Sequence, residues 1–419
     1  MSAGVRLRPL AALLALGLSS AVIAQSDDWD DWGEESPTQW SGYIEAAFST
    51  RFKRDPLFDE RASRAELKGQ IEVSHELERA QLSAKLDVHA DGIEDGLWFD
   101  LREGMLSLPV GSRGHARIGR QVLSWGTGDL LFINDRFPKD FETPLAGGED
   151  LYFKAPSNSL RLDWRFDALS VDLAWTPRFT PDRYIDGQRL GFFDARSGAR
   201  VGGRDLIEAI EPGGGLSGSE LGLRLHRRHE GVEYALYGYR GFDKQPLGAD
   251  AQGRPSHLRR DSAGFSLRGP VFGGIASFEA GREWSGAGLS EVAARVPHKS
   301  AAMAAFEKEW RPKLTIGLQL YAERHDREPG NASALNGESR QLVSLRITRQ
   351  ALRDRLNLSA IAFHSPNQHD RWLRLTASHR LSDQWLLGAS ANVFGRRVQR
   401  FFGQLEDDSN AGFWVRRQF

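Results

Sequence analysis

The sequence contains no cysteine and, after Ala24, no apolar run near the roughly 20 residues that a membrane-spanning helix needs. The missing cysteines exclude disulfides, a lipid anchor and metal sites built on thiolates. The missing apolar runs exclude a bundle of membrane helices after Ala24. Two classes remain, an exported soluble protein and a membrane β-barrel, because in lipid only helices and closed barrels satisfy every backbone group.

The N-terminus has the pattern of a secretory signal peptide. Arg6 and Arg8 precede an apolar stretch over 9–23, and a small-residue site ends at Ala24. We therefore expect 1–24 to be a signal peptide, with a buried N-terminal helix as the alternative. The following 25–38 is acidic and is expected to be a periplasmic lead, either solvated or used to dock a partner.

Apolar and polar residues alternate with a period of two from about Trp40 to the end of the chain. Between Ala80 and His89, for example, Leu82 and Leu86 share one face while Lys85 and Asp87 share the other. This pattern predicts β-strands of the length that a tilted membrane strand needs. About 18 are predicted, with 16 possible, near 40–51, 63–76, 80–90, 97–108, 114–123, 158–167, 168–177, 219–228, 231–240, 259–268, 271–283, 300–310, 313–324, 340–349, 354–364, 370–379, 384–394 and 411–419.

The connections between these strands alternate between short and long along the chain. Outer-membrane barrels have this arrangement, with short periplasmic turns and longer extracellular loops. We therefore predict an all-β fold, a transmembrane antiparallel β-barrel over 39–419, with both chain ends in the periplasm. A soluble β-sandwich, solenoid or propeller is the alternative. The strands at 97–108, 114–123 and 300–310 alternate poorly, which predicts β-bulges there.

If the apolar face meets lipid, the charged residues of the other face line the lumen. Arginines dominate the last strands, where the sequence assigns them no inward acidic partner, and a basic wall attracts anions. The alternative is that they pair with carboxylates from loops or neighbouring strands. The predicted basic strip consists of Arg340, Arg346, Arg374, Arg416, Arg161 and Arg224.

Two long loops are candidates to fold inward, near 124–157 and 178–218. The first is too apolar for a solvated loop, so it is predicted to pack into the barrel mouth as a constriction, or else to close a loop–loop core. The second is predicted to contain a short helix over 205–210 and to act as a lid. The charges expected to set selectivity at the constriction are Asp129, Asp135, Arg136, Lys139 and Asp140.

Two segments resemble known outer-membrane proteins. The terminal Phe419 closes the alternating segment 413–419 and resembles the C-terminal signature that the barrel-assembly machinery reads in Gram-negative barrels. Gly119-Arg120-Gln121, then Trp125-Gly126 and an apolar stretch, resembles a motif of large outer-membrane barrels that include alginate-export-like proteins. The resemblance implies about 18 strands, a basic lumen and passive passage of an anionic or sugar-like solute.

The leading functional hypothesis is a porin-like channel for small or oligomeric, anionic solutes, with outer-membrane lipid and the barrel-assembly machinery as its surroundings. One alternative is the outer-membrane component of an export system, in which the acidic lead docks a periplasmic or inner-membrane partner. Another is a barrel hydrolase that uses His364–Ser365 or Ser378–His379. No metal, cofactor or nucleic acid is expected from the residue pattern.

Overall fold

The computed structural model describes residues 36–94, 96–194, 198–203, 206–285, 292–294, 297–326, 339–396 and 400–419. The predicted signal peptide and most of the acidic lead lie outside these residues. Eighteen antiparallel strands form one sheet. They are β1 Thr38–Arg51, β2 Ala62–Leu77, β3 Ala80–Asp91, β4 Gly96–Val110, β5 Gly114–Val122, β6 Pro156–Arg165, β7 Ser170–Thr176, β8 Glu220–His229, β9 Val232–Phe242, β10 Arg259–Val271, β11 Gly274–Ser285, β12 Lys299–Arg311, β13 Leu314–His325, β14 Ser339–Ala351, β15 Leu356–His364, β16 Arg371–Arg380, β17 Trp385–Gly395 and β18 Asn410–Gln418.

The sheet closes on itself, because β1 pairs with both β2 and β18. Beyond the last paired strand residue, Phe419 and Gly42 exchange two backbone hydrogen bonds of 3.0 Å each. The ring of Phe419 also lies 6.1 Å from that of Trp40. A closed sheet leaves no strand edge unpaired. The predicted β-barrel and its strands are therefore confirmed, and the even strand number puts Thr38 and Phe419 at the same end.

That end, which we call the turn end, carries the short connections. Glu230 and Gly231 join β8 to β9 with φ angles of 50° and 82°. Positive φ at both central residues is what a two-residue hairpin turn requires, because such turns match the twist of the strands. The opposite, loop end carries the long connections, so the predicted alternation of short and long links is present.

Two of the three predicted bulges exist. The register shifts between Lys85 and Leu86 opposite β4, and between Glu309 and Arg311 in β12. The bulge predicted for 114–123 is wrong, since β5 pairs without a register shift on both sides. Arg120, the residue that disturbed the pattern, instead donates a hydrogen bond to the backbone carbonyl of Leu101 on the neighbouring strand. Because the guanidinium of Arg120 has this hydrogen-bond partner, the strand holds it without a β-bulge.

The outer face of the barrel is apolar, with exposed side chains such as Leu236, Leu320 and Phe265. The inner face departs from the prediction that it is polar throughout. Apolar residues of β12, β15 and β16 also point inward and are buried beneath the loops. They include Met303, Ile361, Phe363 and Trp372. The alternating pattern cannot reveal these residues, because a strand that is apolar on both faces has no period.

The remaining elements are short and lie in the loops. One helical turn, α1, spans Glu142–Leu145, and 3₁₀ turns span Asp150–Phe153, Leu216–Gly218 and Gly403–Asp408. The helix predicted over 205–210 is wrong for its described part, because 206–210 is non-helical and Ile210 instead bridges to Ser256. Additional short strands are Phe192–Asp194, Ala199–Val201, Gly248–Asp250, Pro255–Ser256 and Val292–Ala294. None of the helices in the described residues has the length and apolarity needed to cross a membrane.

Candidate functional site

The connection between β5 and β6, residues 123–155, lies inside the barrel, and we call it the inner loop. Gly126 has a φ of 81°, and a Cβ atom there would lie 2.8 Å from the carboxylate of Glu279 on β11. Glycine therefore allows the backbone to approach that carboxylate. Glu279 accepts hydrogen bonds of 2.7 Å from the backbone nitrogens of Thr127 and Asn134. This approach accounts for the glycine of the Trp-Gly pair in the motif.

The aromatic residues of the inner loop pack against the barrel wall. The ring of Trp125 lies 4.8 Å from that of Phe137 in an edge-on arrangement and 6.2 Å from that of Tyr237 on β9. Ile133 and Leu145 are buried in the cluster that includes the inward apolar residues of β12–β17. Burial of this apolar surface stabilises the loop inside the barrel rather than above it.

Polar side chains of the last strands hold the middle of the inner loop. Arg374 on β16 donates hydrogen bonds to the backbone carbonyls of Pro144 and Gly148, at 2.7 and 2.6 Å. Asn410 on β18 donates to the carbonyl of Leu145 at 2.8 Å. Buried carbonyls need such donors. Sequence reasoning did not identify these residues as loop anchors, although the inward position of Arg374 was predicted.

The far part of the inner loop contacts the first strands. The hydroxyls of Tyr152 and Tyr43 lie 2.7 Å apart, and Tyr152 also donates to Asp87 at 3.1 Å. Glu149 accepts a hydrogen bond from Arg416 on β18. Together with the contacts to β9, β11 and β16, these place the inner loop against most of the barrel circumference.

Three arginines of the predicted basic strip are buried and paired. Arg340 lies 3.0 Å from Asp370, Arg374 lies 2.7 Å from Asp150, and Arg416 contacts both Glu45 and Glu149. The alternative that these arginines pair with carboxylates from loops or neighbouring strands is confirmed for these three residues. The partners come from loops and from the first strand, which are distant in sequence. Buried charges need such partners, because an unpaired one loses its hydration without compensation.

The other three arginines of the strip remain partly exposed. Arg346 lies 2.8 Å from Asp129 of the inner loop, and its side chain is 27% exposed. Arg161 lies 3.6 Å and Arg224 3.2 Å from the same carboxylate, that of Asp172. Their side chains are 19% and 17% exposed. The lumen wall therefore presents these guanidinium groups as members of ion pairs.

Most of the charged residues predicted for the constriction form ion pairs or hydrogen bonds within the protein. Asp135 and Lys139 form a buried pair of 2.9 Å, and Arg136 lies 3.0 Å from Glu283. Asp140 accepts a 2.8 Å hydrogen bond from the backbone nitrogen of Thr143. Four of the five charges expected to set selectivity are therefore held by partners within the structure, because folding the loop inside the barrel requires each buried charge to be paired.

Asp129 is the exception among the predicted constriction charges. Its side chain is 42% exposed and contacts Arg346. Burial of its surroundings raises the pKa of Asp129, and Arg346 acts in the opposite direction. At Lys139, by contrast, burial lowers the pKa although Asp135 opposes it. Asp129 and Arg346 thus join the inner loop to the basic strip, and both residues are among those that the sequence predicts for the site.

The two Ser/His pairs considered for hydrolysis lie at opposite ends of one hairpin. His364 ends β15 at the loop end, whereas His379 pairs with Leu356 at the turn end. A strand rises about 3.3 Å per residue, so the 9 residues of β15 separate the two pairs by about 27 Å. The two Ser/His pairs therefore cannot combine into one hydrolase site.

No protein-family model matches the sequence, and no curated protein matches it. Among solved structures, the chain is similar to Acinetobacter baumannii OccAB4, with a TM-score of 0.55 and 9% identity over 93% of this chain and 100% of that chain. Pseudomonas aeruginosa OccD3 (OpdP) has a TM-score of 0.55 and 10% identity, covering 93% and 92%. For Pseudomonas aeruginosa OccK11 (OpdR) the values are 0.55, 10%, 91% and 96%. The chain thus has the fold of a closed, 18-stranded barrel of the outer-membrane porin type.

Proposed function

We propose that the protein is a porin-like channel of the outer membrane through which small or oligomeric solutes diffuse passively. The observation that carries the proposal is the closed 18-stranded barrel with an apolar exterior, a charged interior and a long loop folded into its lumen. The solved structures of OccAB4, OccD3 and OccK11 have a similar fold, with TM-scores of 0.55. We orient the barrel as outer-membrane barrels are oriented, with the turn end facing the periplasm and the loop end facing the exterior.

The proposal includes a preference for anions, which we assign to three of the six arginines of the basic strip. Arg346, Arg161 and Arg224 are partly exposed and are assigned to the permeation path. Arg340, Arg374 and Arg416 are assigned to holding the loops, since their charges are buried. A permeating anion can replace the carboxylate partner of an arginine only where water reaches the ion pair, and water reaches the pairs of these three exposed arginines. The likeness of the 119–126 segment to alginate-export-like barrels supports an anionic or sugar-like solute.

The proposal is tested by single-channel recording of the purified barrel in planar bilayers. We expect ion conductance and, under a salt gradient, a reversal potential of the sign that anion preference gives. Absence of conductance from a folded barrel, even after removal of 125–141, would contradict the channel. Cation preference would contradict the role of the three exposed arginines. Deletion of 25–38 is expected to leave the current intact, whereas an export component would lose its partner.

A further inference from the structure

A cavity of about 540 Å³ lies at the loop end, between the inner face of β2–β4 and the loop segments 142–152 and 182–189. Its volume falls in the range of sites that hold small organic ligands. Arg183, in the wall, has a side chain that is 48% exposed, so solvent reaches this region. In the proposed orientation, a solute from outside meets this cavity before the deeper lumen.

The cations in the cavity wall are already paired with carboxylates. Arg64 lies 2.8 Å from Glu66, and Arg189 lies 2.6 Å from Glu94. The remaining pairs are Arg183–Asp100 at 3.0 Å, Lys68–Glu45 at 3.7 Å and His89–Glu66. An anion that entered would lose its hydration and gain no unpaired cation among these residues. The cavity therefore differs from a site built to attract anions.

One carboxyl oxygen in the wall has no hydrogen-bond partner among the described residues. Oε1 of Glu142 is buried and has no hydrogen-bond partner in the described part of the chain. Burial raises the pKa of Glu142 to about 8, although Arg189 opposes the shift. At neutral pH this carboxyl therefore carries its proton, and it can both donate and accept a hydrogen bond. Leaving a buried polar atom without a partner is unfavourable, so a ligand that supplies one gains affinity.

The aromatic residues Trp98 and Tyr184 also line the cavity. The imidazole of His89 stacks on the indole of Trp98, with ring centroids 5.0 Å apart and planes within 6°. This contact fixes the indole in place. The cavity thus combines rigid aromatic surface with polar groups that both donate and accept hydrogen bonds. A purely apolar ligand would leave those polar groups unsatisfied.

We propose that this cavity binds an uncharged part of a solute that carries several hydroxyl groups, with Glu142 hydrogen-bonding one of them. Hydroxyls match the wall because each donates to a carboxylate oxygen and accepts from a guanidinium or a protonated carboxyl. The inference rests on the proposed channel function, since it names the chemistry of a solute that enters from the loop end. It assigns recognition of hydroxyls to the cavity and recognition of charge to the deeper arginines.

The test is block of the ion current by maltose, an uncharged disaccharide, added from the loop side of the reconstituted full chain. We expect concentration-dependent block of the wild type. Glu142→Gln should retain it within about threefold, because the amide still donates and accepts, whereas Glu142→Leu should weaken it at least tenfold. Glu60→Leu, at an exposed loop position outside the cavity, is the matched control and should leave the block unchanged.

Two results would overturn the inference. One is block by the hydroxyl-free dianion glutarate that Glu142→Leu weakens as much as it weakens maltose block, and the other is unchanged maltose block in Glu142→Leu. Calorimetric titration of maltose into the detergent-solubilised chain needs no current and separates the two proposals. Binding that depends on Glu142 without any conductance would contradict the channel alone. Conductance with neither block nor binding would contradict the cavity alone.

Discussion

Arg416 and Glu45 form a buried ion pair across the seam where the last strand meets the first. Nε of Arg416 lies 3.0 Å from Oε2 of Glu45, and the two residues are register partners in the β1–β18 ladder. Their side chains are 8% and 0% exposed. Each charge has lost its hydration and is compensated by the other. The pair therefore links two strands that are far apart in sequence.

Replacement of Glu45 should weaken the barrel. Because Glu45→Ala leaves Arg416 buried without its first-strand partner, we expect the free energy of unfolding to fall by about 3–5 kcal/mol. Urea unfolding in lipid vesicles measures this. The double variant Glu45→Ala/Arg416→Ala should lose less than the sum of the single changes. Arg417→Ala, at the exposed neighbouring position, is the control, and a cost for Glu45→Ala no larger than the control's would contradict the assignment.

Replacement of Arg374 should loosen the inner loop. Arg374→Ala leaves the carbonyls of Pro144 and Gly148 without their donor and Asp150 without its partner. We expect a conductance that fluctuates between levels in single-channel recordings, and a loss of about 3 kcal/mol or more in stability. Arg371→Ala, on the same strand but outward-facing, should leave the current steady. A steady current in both variants would show that other contacts suffice to hold the loop.

The pair formed by Arg346 and Asp129 should control charge preference. Arg346→Gln removes an exposed positive charge and is expected to lower the anion-to-cation permeability ratio, whereas Asp129→Asn should raise it, each by about two- to fivefold. Reversal potentials under a salt gradient give the ratio. Arg340→Gln serves as the control, since Arg340 is buried beside Asp370. A larger change in the permeability ratio for Arg340→Gln than for Arg346→Gln would contradict the assignment of Arg346 to permeation and of Arg340 to holding the loops.

Asp408 should make stability depend on pH. Burial raises its pKa to about 6, although Arg200 and Arg51 oppose the shift. The folded state then binds this proton more tightly than the unfolded chain, so the contribution of Asp408 to stability falls as pH rises from about 4 to about 6. Relative to Asp408→Asn, which does not titrate, the wild type should lose up to about 3 kcal/mol over this range. Urea unfolding at pH 4, 5, 6 and 7 measures the difference. A wild type that gains on the variant as pH rises would indicate that the arginines dominate.

The strands could be predicted because one physical requirement acts on every one of them. Lipid outside and charge inside impose a period of two, and Leu82 to Val88 of β3 shows it as clearly as any segment. Phe419 could be placed at the seam because closure must join the last strand to the first. The period of two is lost where a side chain meets a different local requirement. Arg120 bonds a neighbouring strand, and Phe363 packs inward beneath the loops, so the alternating pattern predicts neither residue correctly.

The partners of the charged residues could not be predicted from the sequence. Arg374 and Asp150 are separated by more than 200 positions, and only the path of the inner loop brings them together. The same is true of Glu279, whose role depends on the close approach that Gly126 permits. Alternation identifies which side of the wall a charge faces. It carries no information about the loop that will cover it.

The inner loop contacts both sides of the seam. Leu145 accepts a hydrogen bond from Asn410 of the last strand, and Tyr152 contacts Tyr43 of the first. Parting of these two strands into the bilayer would therefore have to break the loop contacts as well as the strand ladder. The same contacts couple two parts of the fold, because docking of the loop and closure of the sheet stabilise each other. In the proposed channel, sideways release of a solute into the membrane is thus disfavoured, and transit along the barrel axis is the path that leaves the wall intact.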